Sequence, residues 1–205
     1  MLTLYYVPRT RAGRARWMLE ELGVPYQLHR VDLAGGENRA PEYLASRQPL
    51  GRVPVLVDGE TSIFESAAIV AYLADRFPEK GLAPPVGSVE RGPYFQWMFY
   101  AMAEIEPHCF DYFLHTTRLA EDKRVPTVAA RARKTIAQHV EPIERLLSDG
   151  REHLLGRFTA ADIVVSGVVG WASLMKTLDA EQVPHTLAWI KRLGARQASK
   201  RSRAD

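Results

Sequence analysis

The sequence predicts an α/β domain at its N-terminal end and an all-helical domain after it. Three observations support this division. Strand-like and helix-like patterns alternate over the first 77 residues, strand signals disappear beyond residue 89, and a proline- and glycine-containing stretch lies between the two parts. We therefore predict an α/β domain at 1–77, a linker at 78–89 and a helical domain at 90–205.

The first half of the α/β domain predicts a strand, a helix and a second strand. Residues 2–6 form a short apolar run typical of a strand. Apolar residues at helical spacing predict a helix over 11–22, and Gly23 followed by Pro25 ends it. The alternating segment 26–31 predicts the second strand.

The second half predicts a short helix at 41–46, a hairpin and a closing helix. Strands at 53–57 and 61–64 flank an Asp-Gly dipeptide, which is typical of a tight hairpin turn. The segment 65–77 is an amphipathic helix. The order βαβ–α–ββα is the thioredoxin-type arrangement, so we expect a parallel first pair of strands and an antiparallel second pair.

Helical patterns fill the second domain. A long amphipathic helix covers 128–147, and we expect an interruption near Pro142. Thr159 followed by Asp162 matches the capping box that begins a helix, and the almost wholly apolar helix after it belongs in the middle of a domain. The aromatic and methionine-rich segment 97–102 could pack in the core or line an apolar pocket.

Composition excludes several classes of protein. Hydrophobic residues make up 46% and charged residues 25%, as in an ordinary soluble globular protein. The single cysteine, Cys109, excludes an internal disulfide and a Cys-x-x-Cys motif, and it fits a reducing cytosol. The sequence has neither a signal-peptide pattern nor an apolar run long enough for a bilayer. We therefore predict a cytoplasmic protein that does not bind membranes.

The net charge of +3 is concentrated near the C-terminus, where six basic residues lie between Lys191 and Arg203. This tail lacks interleaved aromatic residues that could stack on bases. We expect a solvated chain end and no nucleic-acid binding.

Three stretches of the first domain carry residues suited to chemistry, and the first is the junction between strand and helix at Thr10. A hydroxyl in this position could simply cap the helix. The N-terminus of a helix also stabilises anions, thiolates included. Lowering the pKa of a thiol by one unit takes about 1.4 kcal/mol, which a hydroxyl donor and a helix end can supply together.

The second stretch surrounds Pro54, the second residue of an apolar strand. Proline donates no hydrogen bond to a sheet, so it is poorly suited to a central strand. A cis Val53–Pro54 bond would leave the N–H and C=O of Val53 able to pair with an extended peptide. An ordinary trans proline at a sheet edge is the alternative.

The third stretch contains Glu65 and Ser66, where a strand turns into a helix. The two residues could form a simple helix cap. Alternatively, Glu65 could bind a ligand ammonium while Ser66 and its N–H bind a carboxylate. An ammonium and a carboxylate together describe the α-amino acid end of a ligand.

In combination, these motifs resemble those of the cytosolic glutathione transferase family over essentially the whole chain. Segment 10–26 is similar to the first helix of many bacterial members, and segment 49–56 to the family's cis-proline loop. The helix after Glu65 is similar to the family's γ-glutamyl recognition helix, and segment 158–162 to its capping motif.

The resemblance implies how glutathione would bind. Its cysteinyl unit would pair with the backbone of Val53 beside Pro54, and its γ-glutamyl end with Glu65 and Ser66. Arg52 would meet the glycine carboxylate.

The resemblance also implies a donor for the thiolate. Thr10 stands where serine-type members carry their hydroxyl, although serine, cysteine or tyrosine is more usual there. Tyr6 is the competing candidate, since tyrosine-type members place their donor near the end of the first strand. Arg14 could orient this loop or be solvated. We interpret His108 and Cys109 as structural, because adjacent residues on a helix point apart.

The implied activity is transfer of glutathione, as co-substrate, to small hydrophobic electrophiles by a homodimer without a metal. The alternatives are a noncatalytic member that binds glutathione or a protein, and a glutathione-dependent isomerase or peroxidase. Reduction through a protein cysteine is disfavoured, because no cysteine lies near Thr10.

Overall fold

The computed structural model describes residues 1–204, which divide into two compact units. One consists of Met1–Ala83 with residues 195–204, and the other of Pro84–Gly194. The boundary after Ala83 lies inside the predicted linker. The helical domain was predicted to end at residue 205, but the helical unit ends at Gly194, because residues 195–204 belong to the first unit. Asp205 lies outside the described residues.

The first unit is built on a four-stranded mixed sheet. Its elements in chain order are β1 (Leu2–Tyr6), α1 (Ala12–Leu22), β2 (Tyr26–Arg30), α2 (Pro41–Ser46), β3 (Val55–Asp58), β4 (Thr61–Phe64) and α3 (Ser66–Arg76). The strand order is β2-β1-β3-β4, with β1 parallel to β2 and antiparallel to β3, and β3 antiparallel to β4. This confirms the predicted thioredoxin-type arrangement.

Burial along β1 alternates, as expected for a strand with one face in the core. Leu2, Leu4 and Tyr6 are buried, whereas Thr3 and Tyr5 are half-buried. Helices α1 and α3 pack against each other and contribute the other large apolar side chains of this core, namely Met18, Leu19, Leu22, Ile69, Val70 and Leu73. This core therefore fixes α1 and α3 against the sheet.

The second unit is helical, as predicted. It contains α4 (Arg91–Tyr100), α5 (Glu106–Phe113), α6 (Pro126–Leu147), α7 (Ala160–Leu174) and α8 (Pro184–Gly194). The interruption expected near Pro142 is absent, because α6 continues through that residue and buries Val140 and Ile143 on either side of it. No helix among residues 1–204 combines the length and apolar character needed to cross a bilayer.

The predicted capping box begins α7 and is completely buried. Asp162 is 0% exposed, and its Oδ2 accepts hydrogen bonds from the Thr159 N–H (2.9 Å) and hydroxyl (3.2 Å). Its Oδ1 accepts the Leu154 N–H at 3.1 Å. Burial raises the pKa of this carboxyl above its ordinary value, against the opposing effect of these hydrogen bonds. Asp162 thus fixes both the start of α7 and the loop before it.

We expect Asp162→Ala to lower the free energy of unfolding by about 2–3 kcal/mol, because it leaves two buried N–H groups without an acceptor. The melting temperature should fall by roughly 5–10 °C. Thermal unfolding followed by circular dichroism measures this change. Asp179→Ala is the matched control, since that exposed carboxylate accepts, among the described residues, only the nearby Glu181 N–H. Equal melting temperatures for the two variants would contradict the prediction.

The basic tail is not simply solvated, so that expectation was wrong. It contains a last short helix, α9 (Gln197–Arg201), which packs on α1. Arg196 donates two hydrogen bonds to the Glu21 carboxylate (2.7 and 2.8 Å). Arg201 donates to the carboxylate of Glu20 (2.6 Å) and to its backbone carbonyl (3.2 Å). Arg196 and Arg201 therefore neutralise acids of α1.

Candidate functional site

The ends of three strands meet at one edge of the sheet. Tyr5 of β1 pairs with Val55 of β3, and Val55 pairs with Phe64 of β4. Because both pairings are antiparallel, β1 and β4 end where β3 begins. The segments at this edge contain every predicted site residue: Tyr6, Thr10, Arg52, Val53, Pro54, Glu65 and Ser66.

The loop before β3 is held by side chains from its surroundings. Gln48 is buried, and its Oε1 accepts the N–H groups of Leu50 (2.6 Å) and Arg52 (3.1 Å). The Tyr43 hydroxyl donates to the Arg52 carbonyl at 2.9 Å, and burial raises the pKa of Tyr43 to about 12. Tyr43 therefore stays protonated at neutral pH and donates this hydrogen bond. These contacts fix the backbone that leads into Val53.

The Val53–Pro54 peptide bond is cis, as predicted. Among the described residues, no hydrogen bond uses the N–H or C=O of Val53. Its side chain packs against the cluster formed by Val31, Tyr43 and Val55. The backbone of Val53 can therefore pair with an extended ligand while its side chain anchors the residue. Next to it, the Arg52 side chain is exposed.

The turn after β4 places Glu65 and Ser66 at the start of α3. Glu65 is exposed and has a φ of +70°, a conformation that non-glycine residues rarely adopt. Such outliers are often found at ligand sites. The Ser66 hydroxyl oxygen accepts a hydrogen bond from Arg14 Nη1 at 3.2 Å, and both residues are buried. Arg14 is therefore not solvated, which excludes one of the two alternatives that the sequence left open for it.

The loop between β1 and α1 exposes Thr10. Its hydroxyl donates to the Val7 carbonyl at 2.7 Å and accepts the Ala12 N–H at 3.3 Å. The residue directly before the helix is Arg11, so Thr10 lies one position earlier than a standard cap. Arg9 in the same loop has a φ of +59°. The hydroxyl lies at the helix start but is engaged with its own loop.

Tyr6 is much less accessible. Only 8% of it is exposed, and the Arg16 guanidinium lies 5.5 Å from the centre of its ring. Its side chain belongs to the core face of β1. Of the two predicted thiolate donors, Thr10 is the one that a bound ligand can reach more easily.

The residues that support the site were not predicted from the sequence. The loop before β3 is held by hydrogen bonds with Gln48, Tyr43 and Asn38, and no local sequence motif predicts these bonds. Within the described part of the chain, no cluster of three or more His, Cys, Asp or Glu side chains could hold a metal ion.

Two family models match the chain. The glutathione S-transferase N-terminal domain matches residues 1–75, and the C-terminal domain matches residues 126–192. Glutathione S-transferase F10 of Arabidopsis thaliana is 32% identical, over 98% of this chain and 95% of its own. Glutathione S-transferase GstA of Escherichia coli O157:H7 is 30% identical, over 95% and 94%.

Solved structures share the architecture over nearly their whole length. A glutathione transferase from Methylococcus capsulatus has a TM-score of 0.85 and 28% identity, covering 99% of this chain and 97% of its own. URE2P6 from Phanerochaete chrysosporium, solved with oxidized glutathione, has a TM-score of 0.87 and 28% identity, covering 98% and 94%. A theta-class enzyme from Xanthomonas axonopodis pv. citri with glutathione bound has a TM-score of 0.85 and 28% identity, covering 100% and 97%.

Proposed function

Because the chain belongs to the glutathione S-transferase family, we propose that it conjugates the thiolate of glutathione to small hydrophobic electrophiles. The observation that carries this proposal is the backbone of Val53, whose N–H and C=O bond to no other described residue. It lies at the same sheet edge as Thr10 and Ser66. Relatives that hold glutathione or its oxidized form support glutathione as the co-substrate.

In this proposal the tripeptide lies along the loop before β3. The cysteinyl unit pairs with the Val53 backbone beside Pro54, and the glycine carboxylate faces Arg52. The γ-glutamyl ammonium binds Glu65, and its carboxylate binds Ser66 at the start of α3. This orientation points the sulfur towards the amino end of α1.

Besides binding glutathione, the protein must ionise the thiol and hold it beside the electrophile. The thiol loses its proton to solvent, and the thiolate attacks the electrophilic carbon to form a carbon–sulfur bond. A leaving group departs with its electron pair, or an activated double bond takes up a proton. Ionising the thiol and holding it beside the electrophile supply the rate enhancement. We assign the thiolate hydrogen bond to Thr10, with Tyr6 as the alternative donor.

One observation favours a noncatalytic role as the second candidate. The Thr10 hydroxyl already donates to the Val7 carbonyl, so it must exchange that partner for the sulfur. A member that only binds glutathione would not need this exchange. Isomerase or peroxidase activity would use the same thiolate.

The protonation state of the bound thiol distinguishes conjugation from noncatalytic binding of glutathione. We would saturate the protein with glutathione, titrate the thiolate by its ultraviolet absorbance, and assay conjugation with a chlorodinitrobenzene. If the protein is a transferase, we expect a bound thiolate at neutral pH and a conjugated product. Glutathione bound as the neutral thiol, without product, would support a binding protein. No binding at millimolar glutathione would overturn the site.

Removing the γ-glutamyl contacts should chiefly affect affinity. We expect Glu65→Ala to raise the KM for glutathione by roughly 10- to 100-fold with a much smaller change in kcat, because this contact lies far from the sulfur. Steady-state kinetics at varied glutathione measure both constants. Glu60→Ala is the control, since Glu60 is an exposed acid in the β3–β4 turn. A fall in kcat with an unchanged KM would contradict the assignment.

The remaining expectations are proposals as well. We propose a cytoplasmic homodimer, on the basis of the family resemblance. Size-exclusion chromatography with light scattering tests the dimer. For segment 97–102, core packing and an apolar pocket both stay open as predictions, and within that segment Met98 is buried and Phe99 is exposed.

A further inference from the structure

Arg14 of α1 and Ser66 of α3 form a buried polar contact next to the proposed γ-glutamyl site. Arg14 is 6% exposed and Ser66 is 2% exposed, and Arg14 Nη1 lies 3.2 Å from Ser66 Oγ. Arginine is rarely buried, because removing its charge from water costs free energy. What sets this guanidinium apart is its contact with the hydroxyl that we propose binds the γ-glutamyl unit.

The direction of this hydrogen bond determines what Ser66 can do. A guanidinium only donates, so the Ser66 oxygen must be the acceptor. The hydroxyl of Ser66 therefore keeps its own proton for another partner. A charged donor also polarises the hydroxyl and strengthens the hydrogen bond that the hydroxyl donates in turn.

Ser66 is also the first residue of an eleven-residue helix. Helix N-termini carry N–H groups without intrahelical acceptors and a partial positive charge. At Ser66, therefore, a polarised hydroxyl, the start of a helix and a buried cation lie together. Together they suit a carboxylate.

We propose that Arg14 is a positioning residue that acts through Ser66 to bind the α-carboxylate of the γ-glutamyl unit. This inference rests on the proposed glutathione site and adds to it the residue that sets the orientation of its hydroxyl. In the simpler alternative, Arg14 only joins α1 to α3. The two roles differ in ligand selectivity, because a structural role affects every ligand of the site equally.

The test compares glutathione with γ-aminobutyryl-cysteinylglycine, which is glutathione without its α-carboxylate. Calorimetry gives the Kd of each ligand for the wild type, Arg14→Met and Arg14→Lys. We expect Arg14→Met to raise the Kd for glutathione by about 10- to 100-fold and that for the analogue by less than about twofold. Arg14→Lys should restore part of the difference, because an ammonium also only donates.

Two comparisons distinguish this role from a structural one. Arg16→Met removes a second buried guanidinium from the same helix and should change both affinities by the same factor. In a Ser66→Ala background, Arg14→Met should have little further effect on glutathione binding. Thermal unfolding of each variant confirms that it is folded, and Arg14→Lys provides the comparison if Arg14→Met is not.

Equal losses for the two ligands on Arg14 substitution would overturn the inference. An undiminished effect of Arg14→Met in the Ser66→Ala background would do so as well. In both cases wild-type binding of glutathione would remain intact. A wild type that binds neither ligand would instead refute the glutathione site, and the inference with it.

Discussion

Thr10→Ala is expected to lower the kcat of glutathione conjugation by about 10- to 1,000-fold, with little change in glutathione affinity. The substitution removes the hydroxyl proposed to donate to the thiolate, so the pKa of the bound thiol rises. The loss should be largest at neutral pH and should shrink at higher pH, where the thiol ionises without help. A kcat profile against pH and a titration of the bound thiol measure both effects.

Thr10→Ser is the matched control, because it retains the hydroxyl and should keep most of the activity. Tyr6→Phe tests the competing donor and should have little effect on kcat, since Tyr6 is buried beneath Arg16. If Tyr6→Phe abolishes turnover while Thr10→Ala does not, the assignment of Thr10 is wrong.

The second large effect is expected for Gly51→Ala in the loop before β3. Gly51 has a φ of +62°, and a Cβ at this position would collide with the backbone carbonyl oxygen of Asn38. The Asn38 side chain also donates to the Gly51 carbonyl at 2.7 Å, so the two segments cannot easily move apart. The variant must shift the loop that presents Val53. We expect about 2–4 kcal/mol less stability and a KM for glutathione raised by at least tenfold.

Gly59→Ala distinguishes the effect of the collision from the effect of backbone strain alone. Gly59 has almost the same φ, +60°, but nothing lies near the position of its Cβ. It should therefore lose only about 1 kcal/mol, with an unchanged KM for glutathione. Thermal unfolding and steady-state kinetics compare the two variants. Equal stability and equal KM would show that the packing of Gly51 against Asn38 is unimportant.

Local patterns predicted most elements of the first unit, because its strands and helices have clear apolar periodicity. The strand predicted at 53–57 begins two residues later, since Val53 and Pro54 do not join the ladder of β3. The break expected at Pro142 did not occur. Apolar residues on both sides of this proline are buried, and this packing favours continuation of the helix.

The geometry of the candidate site was predictable where it depends on neighbouring residues, as in the cis Val53–Pro54 bond and the helix start at Glu65–Ser66. It was not predictable where partners are distant in sequence. The contact between Arg14 and Ser66 joins residues 52 positions apart, and that between Arg196 and Glu21 joins residues 175 apart. Such pairs require the topology, since charge patterns alone do not identify their partners.

The docking of α9 on α1 has a consequence for protein engineering. The chain passes between the two units twice, once after Ala83 and once after Gly194. A chimera made with a single crossover near residue 83 would combine α1 of one parent with α9 of the other, and Glu20 and Glu21 would face foreign side chains. Exchanging the first unit between relatives therefore requires two junctions, so that α1 and α9 come from the same parent.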